Sequence, residues 1–346
     1  MDFIINHSRF KKKFVENELT FFLDKQNRIK RFPQYEKKIF DFFNLYAKKN
    51  YKLIENICLC KSRNDILLSL TDRTCLDFVT VVCKNCGLIR AKKYYRDEDV
   101  NDFYKNFYRK VFGEYPQPDD FFNKQKIDSK LRFNLLNEYK NQELRNLKIV
   151  DIGGGVGGIL DHFDKSNSRY LYDFYDPYLD YAKSKGINSI KGGLEEIDFQ
   201  PDIIILSHVI EHWSNFEKEI ENLIKVQKKN KTLNYIEFPG VDSLKEGRRE
   251  GDILGDIHVP HVYYFSSYVF ENIMNRYGFE KVYIDNMIRS IFIYTGIKKK
   301  LINFYDQCYK DLWQAEKTRK RQIFKNIIKY FTPHFLIKLI RKLKTI

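Results

Sequence analysis

A chain of 346 residues exceeds what one hydrophobic core usually fills, roughly 250 to 300 residues, so one full domain with additions is expected. Hydrophobic residues at 43% and aromatics at 16% exclude a disordered chain. The net charge of +15 does not describe one broad basic face: beyond residue 297, 14 Lys and Arg stand against Asp306, Asp311 and Glu316, which puts +11 in the tail.

No stretch approaches the roughly 18 apolar residues that a membrane helix needs, and the first 13 residues place their bases after a short apolar run. Neither a signal peptide nor a transmembrane helix is expected. Five of six cysteines fall between Cys58 and Cys86, which suits a metal site in a reduced cytoplasm better than a secreted disulfide framework.

In chain order, residues 1–56 read as a helical lead-in, from the apolar spacing of Phe14, Leu19, Phe22 and Leu23 and again of Ile39, Phe42, Phe43 and Tyr46. Residues 57–95 turn β-rich around 66–70 and 78–82, between cysteine clusters, as a small metal-stapled unit would. An aromatic and helical bridge follows over 96–146, with Tyr-rich character from Tyr94 to Tyr115. From 147 to 297, strands are expected at 147–152, 170–175, 187–190, 202–206 and 232–237, with helices at about 157–163, 178–185 and 215–226. This alternation predicts a parallel sheet with right-handed crossovers. A helix near 266–277 then leads into a hairpin of strands at 281–285 and 290–294, so one strand must run antiparallel. Residues 298–346 form the basic tail.

The run Val150-Asp151-Ile152-Gly153-Gly154-Gly155-Val156-Gly157-Gly158 closes a strand and opens a helix, where bare backbone can approach a nucleotide. Eighteen residues beyond Gly158, the second strand is expected to end in Asp176-Pro177, which offers a carboxylate to ribose hydroxyls. Gly153, Gly155 and Gly158 also satisfy G-x-G-x-x-G, so an NAD-dependent dehydrogenase is the competing reading. The acid before the glycines, the Glu211-His212 pair after strand four and the antiparallel ending count against it.

Over about 150 residues the chain resembles class I S-adenosylmethionine methyltransferases, through Asp151 and its glycines, Asp176, Gly193-Leu194-Glu195-Glu196 and Ser207-His208-Val209-Ile210-Glu211-His212. That resemblance implies an α/β, Rossmann-like domain with S-adenosylmethionine as cofactor. Asp151, Gly153 and Gly155 would surround its methionine part and Asp176 its ribose, with Glu195 and His208 completing the set.

Cys83-Lys84-Asn85-Cys86-Gly87 is a C-x-x-C-G knuckle, and 22 residues separate it from Cys58-Leu59-Cys60. Four thiolates at this separation can enclose a closed, structural zinc ion. Because the first pair is C-x-C, Cys75 is an alternative member, and cysteines packed without metal are the plainer reading. A cysteine ribbon ending in C-x-x-C-G-L, a Tyr-rich bridge and a cofactor domain resemble bacterial methyltransferases of surface-polysaccharide and deoxysugar synthesis, carried here by Cys83 to Leu88 and Phe103 to Tyr108.

No Asp/Asn-Pro-Pro-Tyr sequence follows strand four, so nucleic acid is not the expected partner; Glu237-Phe238-Pro239-Gly240 after strand five is typical of small-molecule relatives. The loop from Gly255 to Ser266 carries His258, His261, Tyr263 and Tyr264, groups able to handle a proton near working pH. In the sugar methyltransferases that this chain resembles, a His just before an aromatic-Phe-Ser run is the acceptor-side base, a position His261 occupies. Tyr104, Tyr108 and Tyr263 are candidates to line a sugar or glycan acceptor, and bracing of the loop is the plainer role for both histidines.

The tail combines bulky apolar residues with bases in Phe324 to Phe331 and Phe335 to Lys344. It reads either as a helix lying in an anionic lipid interface, at the inner face of a membrane, or as one packed on the protein. RNA methylation with the tail as an electrostatic grip, and a cofactor-binding module without chemistry, are the remaining alternatives.

Overall fold

The structure is a computed structural model describing residues 43, 45–73, 77–108, 117–140 and 143–331. The lead-in residues from Phe14 to Phe42, Cys75, Tyr115 and the tail from 332 onward lie outside the described residues.

A seven-stranded sheet organises the central domain. Its strands are β6 (Lys148–Ile152), β7 (Ser168–Asp173), β8 (Asn188–Lys191), β9 (Ile203–Ser207), β10 (Leu233–Glu237), β12 (Phe279–Ile284) and β13 (Arg289–Tyr294). They lie in the order β8-β7-β6-β9-β10-β13-β12. All neighbours from β8 to β10 are parallel, and β13 runs antiparallel to both β10 and β12. The fold is α/β and Rossmann-like with one antiparallel strand, as expected. β9 is Ile-Ile-Ile-Leu-Ser with its first four residues buried, the continuous apolar run that a strand covered on both faces requires.

Four helices cover the sheet: α2 (Pro118–Tyr139), α3 (Asp176–Ser184), α4 (Phe216–Lys225) and α5 (Ser267–Arg276). Pro177 enters the first turn of α3, and the Asn215 side chain accepts the Lys218 amide to cap α4. Phe122 and Leu136 of α2 pack with Ile149, Leu171, Ile203, Ile205 and Tyr235 on one face. The other face joins Val150, Ile152, Ile204, Leu206 and Phe270 to Cys58, Cys83, Cys86 and Leu88.

Two expectations change. The helix predicted over 157–163 is a short 3₁₀ turn, Gly158–His162, because α2 presses on it: a Cβ at Gly158 would stand 2.5 Å from Gln125 Cβ and 2.8 Å from the Phe122 carbonyl. The second strand ends at Asp173 rather than at 175, because Asp173 Oδ1 accepts the amides of Phe174 (2.7 Å) and Tyr175 (3.1 Å) and takes them out of the ladder.

The cysteine unit is not a detached bead. β2 (Asp65–Thr71), β3 (Asp77–Cys83) and β4 (Ile89–Ala91) form an antiparallel sheet completed by β11 (Tyr263–Tyr264), a strand contributed by the loop after β10. β1 (Leu53–Glu55) pairs with β5 (Lys93–Tyr95). The bridge supplies α1 (Asp97–Phe103), a π-helical turn at Tyr104–Tyr108, and α2. The last helix, α6 (Tyr305–Phe331), buries Cys308, Leu312 and Ala315 against Leu244, Ile253 and Leu254 of the loop and Val82 and Ile89 of the ribbon.

Candidate functional site

The order of the parallel strands reverses between β6 and β9, and ligands of such sheets bind beyond the strand ends at that point. A cavity of about 310 Å³ lies there, lined by Asp151, Gly153, Gly154 and Ile159 of the glycine segment, Ser207 and His208 after β9, and Gln125, Asp128, Ser129 and Arg132 of α2. Residue type and fold agree on the floor. Gly155 sits at φ +62°, the left-handed region, and a Cβ on it would come within 2.9 Å of Gln125 Nε2 and 3.1 Å of the Phe121 ring. At Gly154 a Cβ would come within 2.1 Å of Asp151 Oδ2. Gln125 clamps the loop at two points, donating to the Gly154 carbonyl (3.1 Å) and accepting the Gly158 amide (3.2 Å).

Asp151 is 2% exposed, and burial pushes its carboxyl up to about 8, with Arg132 opposing the rise and Asp173 adding to it. Arg132 in turn pairs with Glu237 at the end of β10, whose other partner is the Tyr235 hydroxyl at 2.6 Å. Burial alone would raise the Glu237 carboxyl; Arg132 outweighs it and holds the group below its usual range.

Asp176 stands in the first turn of α3, exposed, paired with exposed Lys191 at 2.8 Å. Asp173, at the end of β7, instead accepts the Gly155 amide on Oδ2 at 2.9 Å, which places this carboxylate against the glycine loop. Glu195 lies exposed in a 3₁₀ turn after β8 and is not among the residues lining the cavity.

On the acceptor side, His258 is 4% exposed and His261 half-buried; neither lines the cavity. The His261 ring packs edge-on to His212 (4.7 Å) and His258 (5.5 Å), and the Glu211 carboxylate and the His212 and His261 rings bring polar atoms within 4.8 Å of one another. Burial, then the neighbouring His212, His258 and Arg73, lowers the proton affinity of His261 well below the ordinary histidine value; burial and Arg73 do the same to His258. Both rings are therefore weaker bases than an ordinary histidine. The Tyr264 hydroxyl accepts the His258 amide and lies 3.1 and 3.2 Å from the His258 and His261 carbonyls, so the segment is braced. Tyr263 is 3% exposed, its hydroxyl donating to Asn56 Oδ1 at 3.5 Å. Tyr104 and Tyr108 fall in the π-helical turn, with the Tyr104 ring against Phe103.

In the ribbon, Cys58, Cys60, Cys83 and Cys86 bring their sulfurs within 4.8 Å of one another, with Cys58 to Cys86 at 3.4 Å and Cys60 to Cys83 at 3.5 Å. The Asn85 amide points to Cys83 Sγ at 3.4 Å, as in a metal knuckle. A zinc ion bonded to four thiolates at about 2.3 Å needs sulfurs roughly 3.8 Å apart, so the donor set fits a tetrahedral ion closely.

Residues 121–284 match the family model of a methyltransferase domain. Fold, cavity and match together define the class of protein: an S-adenosylmethionine-dependent methyltransferase. No curated protein matches the chain. Among solved structures, the magnesium protoporphyrin IX methyltransferase of Synechocystis PCC 6803 with bound S-adenosylhomocysteine is similar at 14% identity, covering 57% of this chain and 98% of its own, with a TM-score of 0.39. The YcgJ protein of Bacillus subtilis is 18% identical over 43% of this chain and 69% of its own, with a TM-score of 0.33.

Proposed function

We propose that the protein methylates a sugar hydroxyl of a bacterial surface glycan or of its nucleotide- or lipid-linked precursor. The observation that carries this reading is the polar wall of the cavity between the glycine loop and α2, where Ser207, His208, Arg132 and Asp128 join the glycine segment. Such a wall suits a polyhydroxylated acceptor. S-adenosylmethionine, when bound, supplies an electrophilic methyl group on a sulfonium.

The chain's residues do the rest. Asp151, Gly153 and Gly155 shape the loop around the cofactor, with Gln125 holding that loop in place, and Asp173 takes the ribose hydroxyls in place of Asp176. His258 and His261 keep the acceptor loop rigid. Cys58, Cys60, Cys83 and Cys86 hold a structural zinc ion that anchors the sheet to which β11 belongs.

The test incubates full-length protein with methyl-labelled S-adenosylmethionine and a panel of nucleoside diphosphate sugars, lipid-linked glycans and total RNA. Label on a sugar supports the reading. Label confined to RNA replaces it with the nucleic-acid alternative.

A further inference from the structure

The structure assigns a second duty to the turn after β9. We propose that His208, held by the buried carboxylate of Glu211, is the group that takes the acceptor's proton during methyl transfer. This rests on the hydroxyl-acceptor reading above and deepens it.

His208 brings an imidazole to the lining of the cavity that Asp151, Gly153 and Gly154 share, with its side chain 48% exposed. Its backbone sits at φ +59°, in the left-handed region that non-glycine residues enter at a cost, and strain of this kind concentrates where a side chain must be aimed. The aim comes from two bonds. The His208 amide donates to the Glu237 carbonyl at 2.7 Å, and Nδ1 faces Glu211 Oε1 at 3.3 Å. Glu211 is 2% exposed, and its Oε2 has no hydrogen-bond partner among the described residues. A buried carboxylate with one unpartnered oxygen is stabilised by positive charge beside it. Committing Nδ1–H to Glu211 leaves Nε2 as the atom that can accept a proton.

The charged and titratable groups facing the ring come from four elements: Glu211 in its own turn, Glu237 at the end of β10, Arg132 of α2, and His261 of the acceptor loop, with Asp151 and Asp128 across the cavity. Burial lowers the proton affinity of His208; the Glu211 hydrogen bond and charge, helped by Glu237 and opposed by Arg132, outweigh it and raise it above the ordinary histidine value. His258 and His261 move the other way.

In the step, the acceptor oxygen bonds to the methyl carbon while the carbon–sulfur bond breaks and its electron pair stays on sulfur, leaving a neutral thioether. The hydroxyl proton passes to His208 Nε2, and Glu211 balances the resulting imidazolium. The group is a base only above its own titration point, so the rate climbs as pH rises through that raised value and then levels.

The experiment is histidine NMR on full-length protein saturated with S-adenosylhomocysteine, with the His208 signal identified by its loss in His208→Asn, a residue that tolerates the left-handed backbone. The expected result is a His208 midpoint above about 6.5 that falls by about one unit or more in Glu211→Gln. On any sugar that accepts the methyl group, His208→Asn should lower turnover by about 100- to 10,000-fold and erase the rising limb of the pH profile. A midpoint that does not move in Glu211→Gln overturns the dyad whatever the acceptor is. Failure of every sugar to accept, with the NMR result intact, overturns the sugar reading alone.

Discussion

Asp173 and Asp176 are three residues apart and chemically identical, yet only one meets the glycine loop. Asp173→Ala should weaken S-adenosylhomocysteine binding by about 10- to 100-fold, the loss expected when hydrogen bonds to a charged group disappear, whereas Asp176→Asn should stay within about twofold. Calorimetry separates them, and equal losses would return the ribose role to Asp176. Gly155 carries a related argument. A side chain there meets Gln125 and Phe121 before it meets a ligand, and must hold a positive φ besides. Gly155→Val should therefore abolish binding and also cost about 1 to 3 kcal/mol of stability, visible as a lower melting temperature. A variant with wild-type melting that merely fails to bind would show that the residue faces the ligand alone.

Among the elements, β11 ties the cysteine ribbon to the acceptor loop. Tyr263 and Tyr264 pair with Arg90 and Ile89 of β4, the Ala91 amide donates to the Val262 carbonyl at 2.9 Å, and the Arg73 amide donates to the Ile257 carbonyl at 2.8 Å. Buried Arg90 locks β4 from behind through a bidentate pair with Asp65 and a bond to the Asn56 carbonyl. Loosening the four thiolates should thus disturb the acceptor loop before it disturbs the seven-stranded sheet. Cys83→Ser is expected to lose metal, measured by elemental analysis at about one zinc per wild-type chain. Turnover should fall while S-adenosylhomocysteine binding persists. Zinc content unchanged from wild type, or cofactor binding lost in step with the acceptor loop, would break this division of labour.

At the scale of the whole molecule, α6 closes the far side. Leu312 and Ala315 are buried against the loop after β10 and the ribbon, Glu316 and Arg319 pair in the same buried face, and Lys245 reaches Asp311 at 3.0 Å. The first half of the basic tail is therefore a packed helix, while Phe324 and Ile328 remain exposed. Among the described residues, no helix is long and apolar enough to cross a membrane. Leu312→Ala should cost about 2 to 5 kcal/mol, the usual range for emptying a well-packed leucine site, and should lower the melting transition of the ribbon and acceptor loop together. A drop of less than about 1 kcal/mol would mean that α6 is attached loosely.

The α/β class, the antiparallel ending, the cofactor loop and the four clustered cysteines were all legible in the chain, because each depends on local pattern: the apolar period of strands, glycine before a helix start, thiols at ligand spacing. The helix at 157–163 was misread because pressure from α2, some 33 residues upstream, decides it. The second strand ends at Asp173 rather than at 175 because that side chain takes two backbone amides. The histidines differ for a deeper reason. His208, His258 and His261 carry the same ring, and only burial and neighbours drawn from distant segments lower two of them and raise the third. Proton affinity is a property of surroundings, and tertiary packing supplies those surroundings.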